Sequence, residues 1–325
     1  MRAARWRCRW PALAALALAL LLGACATTAP PEPVLAERDL PRFIAPAKDK
    51  PPRVALVLSG GSARGFAHLG VMRVLEREGL RPDLVVGTSS GAIAGGLYAS
   101  GMPVEEIEAL AARLEWFTVF DIDPVGTLLD GLGLGLAKGK RLEAFLREQL
   151  RAPMQSFPIR FAAVATDLYS GETVVLNHGD AALALRASSA IPGVLEPVNV
   201  GGRLLGDGQI VSPMPVATAR QLGAQVVIAV DVVYPPHHSA LTNPVSVLFQ
   251  TMFISSYRLL LSERLQADLV LTPVIETTGQ LGLSDRDWLI RVGVAAAEAA
   301  LPQLRAAFGA RRTAQPNADG IFASH

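Results

Sequence analysis

Two strand-turn-helix units set close together constrain the fold of this chain more than any other feature. Arg53-Val-Ala-Leu-Val-Leu-Ser59 is a short aliphatic run ending on Gly60-Gly61, and an apolar periodicity then continues through Phe66, Leu69, Val71, Val74 and Leu75 as far as Gly79. Asp83-Leu-Val-Val86 is a second such run, followed by Gly87-Thr88-Ser89-Ser90-Gly91 and a small-residue helix over Ala92 to Ser100. Strands apolar at every position are covered on both faces, and a helix between two of them fits a parallel crossover. Further strands are expected at Ile159 to Thr166, Thr173 to Leu176, Arg203 to Leu205, Gln225 to Val230 and Leu269 to Thr272. The expected fold class is α/β, a mostly parallel sheet sandwiched by helices, with its site at the carboxyl ends of the strands.

The chemistry concentrates in the two glycine turns. Gly87-Thr88-Ser89-Ser90-Gly91 is a G-x-S-x-G pentapeptide between a strand and a helix, the context of a nucleophile elbow. Gly87 and Gly91 remove the Cβ atoms that would collide across so sharp a turn, and Ser89 projects from its apex. The first turn, Gly60-Gly61-Ser62-Ala63, presents backbone N–H groups at a helix N-terminus, suited to an oxyanion hole. Ser62 breaks the G-x-G-x-x-G pattern, and no Gly-Lys-Ser/Thr follows, so a dinucleotide or phosphate loop fits less well. A serine hydroxyl needs a base, and Asp207, between Gly206 and Gly208 after an apolar run, is one candidate; an ordinary Asp-Gly turn is the other reading. Of the five histidines, His237 and His238 fall in a loop-like stretch, His325 is the last residue, and His68 suits a structural role on its helix.

These segments together resemble the patatin-like phospholipase family. The resemblance rests on Gly60-Gly61-Ser62-Ala63-Arg64-Gly65 with Ala67-His68-Leu69-Gly70, on Gly87-Thr88-Ser89-Ser90-Gly91, on Ala187-Ser188-Ser189-Ala190-Ile191-Pro192, and on Asp207-Gly208, in that order. It implies a three-layer α/β/α fold and a Ser-Asp dyad, with Ser89 as nucleophile, Asp207 as base partner and no catalytic histidine. The implied activity is that of a lipid acyl hydrolase of phospholipase A or lysophospholipase type, with a membrane lipid substrate and no metal or organic cofactor. Two positions depart from the family pattern: Ser62 stands where a third glycine is usual, and Gln209 where Gly or Ala usually follows Asp-Gly. A soluble-ester hydrolase or thioesterase with the same dyad is the alternative enzyme reading. A non-catalytic envelope binding module is the alternative outside enzymes.

The ends of the chain carry a different signal. Arg2, Arg5, Arg7 and Arg9 precede an uncharged Ala/Leu run from Trp10 to Leu22, and Leu22-Gly23-Ala24-Cys25 resembles a bacterial lipobox. Residues 1–24 are therefore expected to be a signal peptide, Cys25 to be lipidated and to hold the chain to a membrane, and residues 25–52, rich in proline, to be a tether. Residues 53–308 are expected to form the acyl hydrolase domain and 309–325 a frayed tail. Ala26 in place of an aspartate after the cysteine favours the outer membrane of a bacterial envelope, by resemblance to sorted lipoproteins. With four of the 30 basic residues in the leader, residues 25–325 hold 26 basic against 29 acidic residues, which leaves no basic face for nucleic acid.

Composition bounds the remainder. The 325 residues are 50% apolar and 18% charged, which excludes disorder, and Cys8 and Cys25 are the only thiols. From Val232 to Tyr257 there is no Asp, Glu, Lys or Arg, and Asn243-Pro244 marks the start of a helix running to about Gln266. Burial is the default expectation for that helix, and membrane contact the sharper one. Residues 115–120 and 126–136 are candidate lids or packed loops. Arg64 is expected to bond loop carbonyls, or alternatively to face an anionic headgroup.

Overall fold

The computed structural model describes residues 53–113, 121, 134–150, 152–236, 241–275 and 282–309. The signal, Cys25 and tether expectations, residues 115–120, most of 126–136, His237, His238 and the tail beyond Gly309 lie outside the described residues.

β1 (Val54–Leu58) is buried along its length because its side chains alternate between two covered faces. Val54, Leu56 and Leu58 enter one apolar layer, Ala55 and Val57 the other. A 3-10 turn at Ser62–Gly65 leads into α1 (Phe66–Arg77). β2 (Leu84–Thr88) runs through Ser89 into α2 (Ser90–Ala99), and α3 (Val104–Arg113) follows. The middle of the chain holds β3 (Gly135–Ala137), α4 (Lys140–Gln149), β4 (Arg160–Asp167), β5 (Thr173–Leu176) and α5 (Ala181–Ser188). β6 (Gly193–Leu195), β7 (Val198–Val200), β8 (Arg203–Asp207), α6 (Val216–Gln221) and β9 (Val226–Val230) come next. α7 (Pro244–Arg264), β10 (Leu269–Leu271), α8 (Arg286–Ala299) and α9 (Leu301–Gly309) complete the order.

The main sheet has the order β10-β9-β1-β2-β4-β8-β7, with β5 also paired to β4. β10, β9, β1, β2 and β4 run parallel, as continuous apolar strands with helical crossovers require. β5 and β8 run antiparallel to β4, and β7 antiparallel to β8. The reversals have local causes. Only residues 168–172 separate β4 from β5, too few for a crossover, and Gly201-Gly202, both at positive φ, close a two-residue hairpin between β7 and β8. One face carries α1, α2, α5 and α8, and the other carries α6 and Leu260 from the C-terminal half of α7.

α7 departs from the default expectation of a buried helix. Its start is as expected, with the Asn243 side chain accepting from the Ser246 N–H and Pro244 in the first turn. Yet only Ser256, Leu260 and Glu263 are buried along its 21 residues. It is the one helix among the described residues with the length and apolar composition to cross a membrane.

Candidate active site

The spacing of Ser89 and Asp207 is set by β4. Its Val164 pairs with Thr88 of β2, and the next residue, Ala165, pairs with Asp207 of β8, so consecutive rungs bring the two strand ends together. The Ser89 hydroxyl donates to Oδ2 of Asp207 at 2.7 Å, although the residues are 118 positions apart. Both are buried, at 3% exposure each. Ser89 takes φ 55°, ψ −124°, the sharp-turn backbone that the pentapeptide predicts. A Cβ on Gly91 would lie 2.4 Å from the Leu58 carbonyl oxygen, and one on Gly87 2.5 Å from that of Gly91, so both flanking positions require glycine.

Side chains outside the two motifs fix these groups. The Ser188 hydroxyl accepts from the Ser89 N–H at 3.0 Å and donates to the Val164 carbonyl at 2.6 Å, tying the elbow to β4. The Thr166 hydroxyl donates to the Asp207 carbonyl at 2.8 Å. The Gln209 N–H donates to Oδ1 of Asp207 at 2.8 Å, which leaves Oδ2 for Ser89. Burial raises the Asp207 carboxyl from 3.8 to about 6, against the opposing pull of the Gln209 N–H and the Ser89 hydroxyl. Sequence reasoning did not assign Ser188 or Thr166 a role. Ser188 sits inside the Ala187-to-Pro192 motif, whereas nothing around Thr166 marks it.

The first glycine turn lies against this pair, since a Cβ on Gly60 would come within 3.4 Å of the Ser89 Cβ. Its four residues are not equivalent. The Gly60 N–H donates to the Pro213 carbonyl at 2.9 Å, so Gly60 closes the loop and is not a free donor, in contrast to its expected place in the oxyanion hole. The N–H groups of Gly61, Ser62 and Ala63 meet no backbone carbonyl among the described residues. Ser62 adopts φ 52°, the left-handed conformation that a glycine would take at no steric cost.

Among the described residues Arg64 bonds no loop carbonyl, in contrast to the expectation. Its guanidinium lies 5.3 Å from the centre of the Tyr234 ring, its Nε is buried without a hydrogen-bond partner among the described residues, and desolvation lowers its pKa. His68 is structural, as expected: Nε2 donates to the Ser59 carbonyl at 2.8 Å, and burial lowers its pKa to about 4, leaving the ring neutral. His178 is exposed.

Asp207, Gln209 and Ser62 open into a cavity of about 300 Å³ whose other walls include Ile191, Pro192, Ile210, Phe249, Met252 and Phe253. The apolar walls suit a hydrocarbon chain. α7 supplies three of these side chains, a contribution the sequence did not reveal.

The patatin-like phospholipase profile matches residues 56–220. The chain is 37% identical over 182 residues to an uncharacterized NTE family protein of Mycobacterium bovis, covering 55% of this chain and 49% of that protein. It is 32% identical over 186 residues to the lysophospholipase NTE1 of Debaryomyces hansenii, covering 55% of this chain and 12% of that protein. The chain thus spans about half the length of the mycobacterial relative. Among solved structures, VipD from Legionella pneumophila aligns with a TM-score of 0.48 at 16% identity, over 78% of this chain and 67% of that one. The matched segment contains both glycine turns, Ser89 and Asp207, and the chain belongs to the patatin-like phospholipase family.

Proposed function

We propose that this protein is a lipid acyl hydrolase of phospholipase A or lysophospholipase type that works through Ser89 and Asp207. The observation that carries the reading is the 2.7 Å hydrogen bond between two buried side chains, one on a strained turn, beside an apolar cavity. Asp207 takes the proton as Ser89 Oγ attacks the ester carbonyl. The negative oxygen of the tetrahedral intermediate is held by the N–H groups of Gly61, Ser62 and Ala63. Collapse expels the alcohol, which receives the proton from Asp207, and leaves an acyl group on Ser89. Water then attacks that ester with Asp207 again as base, releasing a fatty acid and restoring the serine. A carboxyl near 6 is mostly ionised at neutral pH yet basic enough to accept the proton. The raised pKa thus assists the general base.

We propose further, on the basic and apolar leader and Leu22-Gly23-Ala24-Cys25, that residues 1–24 are removed, Cys25 is lipidated, residues 25–52 are the tether and the enzyme belongs to the outer membrane of a bacterial envelope. Incubation with phospholipid and lysophospholipid vesicles, with mass detection of released fatty acid, tests the activity. Release by the parent protein that disappears in Ser89→Ala, with an acid limb near pH 6 in kcat/KM, is the expected result. Turnover confined to short soluble esters or thioesters, or retained by a folded Ser89→Ala protein, would overturn it.

A further inference from the structure

The exposed half of α7 has no role in the chemistry above. Residues 244–255 include no buried position, and its large aliphatic side chains project on more than one side: Val245, Val247, Leu248 and Ile254 are all exposed, Leu248 at 60%. Soluble surfaces do not ordinarily present a contiguous set of this kind. The C-terminal half is held firmly. Glu263 is buried and accepts from the Ser212 hydroxyl and from the Met214 N–H at 2.8 Å, and Arg264 pairs with Asp231. The helix is therefore a cantilever, fixed to the sheet at one end and bare at the other.

We infer that the bare half of α7 docks on a lipid surface and inserts its aliphatic side chains beside the cavity mouth; this rests on the lipid reading of the cavity. Two observations select lipid over a protein partner. The same turns that expose Val245, Leu248 and Ile254 supply Phe249 and Met252 to the cavity wall, so the bare face is continuous with the site that takes the acyl chain. From Val232 to Tyr257 no charged side chain is present to complement a partner's charges, and the first, Arg258, is exposed where a headgroup would lie. The anchored end excludes a span, because Ser256, Leu260 and Glu263 are buried against the protein. With no Lys or Arg in the bare half, docking draws on apolar insertion and does not need anionic lipid.

The test is position-specific. Full-length protein with Cys8→Ala and Cys25→Ala carries a nitrobenzoxadiazole label at Leu248→Cys or, as reference, at Tyr169→Cys, a site 83% exposed and remote in sequence. In phosphatidylcholine vesicles containing doxyl-labelled phosphatidylcholine, the label at 248 is expected to shift to the blue and to be quenched several-fold, equally in high salt, while the label at 169 does neither. In unlabelled protein, Val245→Asp with Leu248→Asp is expected to lower turnover of vesicle lipid about tenfold or more and to leave soluble-ester turnover unchanged. An unquenched label at 248, a blue shift without vesicles that grows with protein concentration, or equal loss on both substrates would overturn the inference. Quenching requires no turnover and is expected unchanged in Ser89→Ala, so failure of docking and failure of the hydrolase reading register separately.

Discussion

Asp207→Asn separates what the carboxylate does from what it costs the fold. In the unfolded chain the group titrates near 3.8, and burial moves it to about 6 in the native state. Between these values the native protein holds a proton that the unfolded chain has released, so stability falls as pH rises through the window and the deficit is complete above the native pKa. At 1.36 kcal/mol per unit the deficit is about 3 kcal/mol. Asparagine is never charged and keeps an oxygen for the Gln209 N–H, but it turns an amide NH₂ toward the Ser89 hydroxyl and removes that proton's acceptor, at about 1 kcal/mol. The variant is therefore expected to be about 2 kcal/mol more stable than the parent at pH 8 and about 1 kcal/mol less stable near pH 3, below both pKa values, a crossing set by Asp207 alone. Ester turnover should fall by ~10²–10⁴, the usual worth of a general base. Thermal denaturation followed by tryptophan fluorescence at both pH values reads the first effect, at about 2–4 °C per kcal/mol for a domain of this size. The same order of Tm at both pH values, or parent-like turnover, would refute the reasoning.

Two further outcomes follow from local geometry. Ser62→Gly replaces a side chain held at φ 52° with the residue that tolerates it, and is expected to raise the denaturant midpoint by up to about 1 kcal/mol of stability with turnover within a few-fold of the parent. Loss of turnover there would mean that the hydroxyl, and not only the loop's backbone, serves the site. Glu263→Ala leaves the Ser212 hydroxyl and the Met214 N–H without their buried acceptor, and is expected to destabilise by about 2–4 kcal/mol, with Glu263→Gln recovering part of it; urea denaturation distinguishes the two.

What the sequence made legible is what local backbone geometry dictates. The glycines around Ser89 and the positive φ of that residue belong to one turn, so five consecutive letters carry the whole message. The parallel strands were legible for a similar reason, β1 and β2 being buried along their length and apolar at nearly every position. β3, β6 and β7 were not, because each is three residues long and exposes part of its length, which gives no period to read. Contacts across the chain hid the rest. Arg186, which no motif marks, is buried, its guanidinium donating to the carbonyls of Lys138, Gly139 and Glu196. The Gly60 N–H reads as an oxyanion donor until Pro213, distant in sequence, takes it. The apolar run of α7 reads as core because nothing in its letters says which half meets the sheet.

β4 shows why a site can be read without its scaffold. Its Phe161-Ala-Ala-Val-Ala165 stretch has no residue that any motif would select, yet it sets the distance on which the proposed chemistry depends. Val164 positions Thr88 through one rung and the Ser89 N–H through Ser188; Ala165 positions Asp207 through the next rung, and Thr166 holds the Asp207 carbonyl. Backbone pairing does this work, and backbone pairing is nearly blind to side-chain identity. Small side chains at 162, 163 and 165 let helices and strands come close, which a sequence reports only as generic burial. The reacting groups are individually conspicuous because each needs a particular functional group, whereas the ruler between them needs only a regular strand of sufficient length. A substitution that shifts the register of β4 by one residue would therefore remove the Ser89–Asp207 hydrogen bond while leaving both residues and both glycine motifs intact.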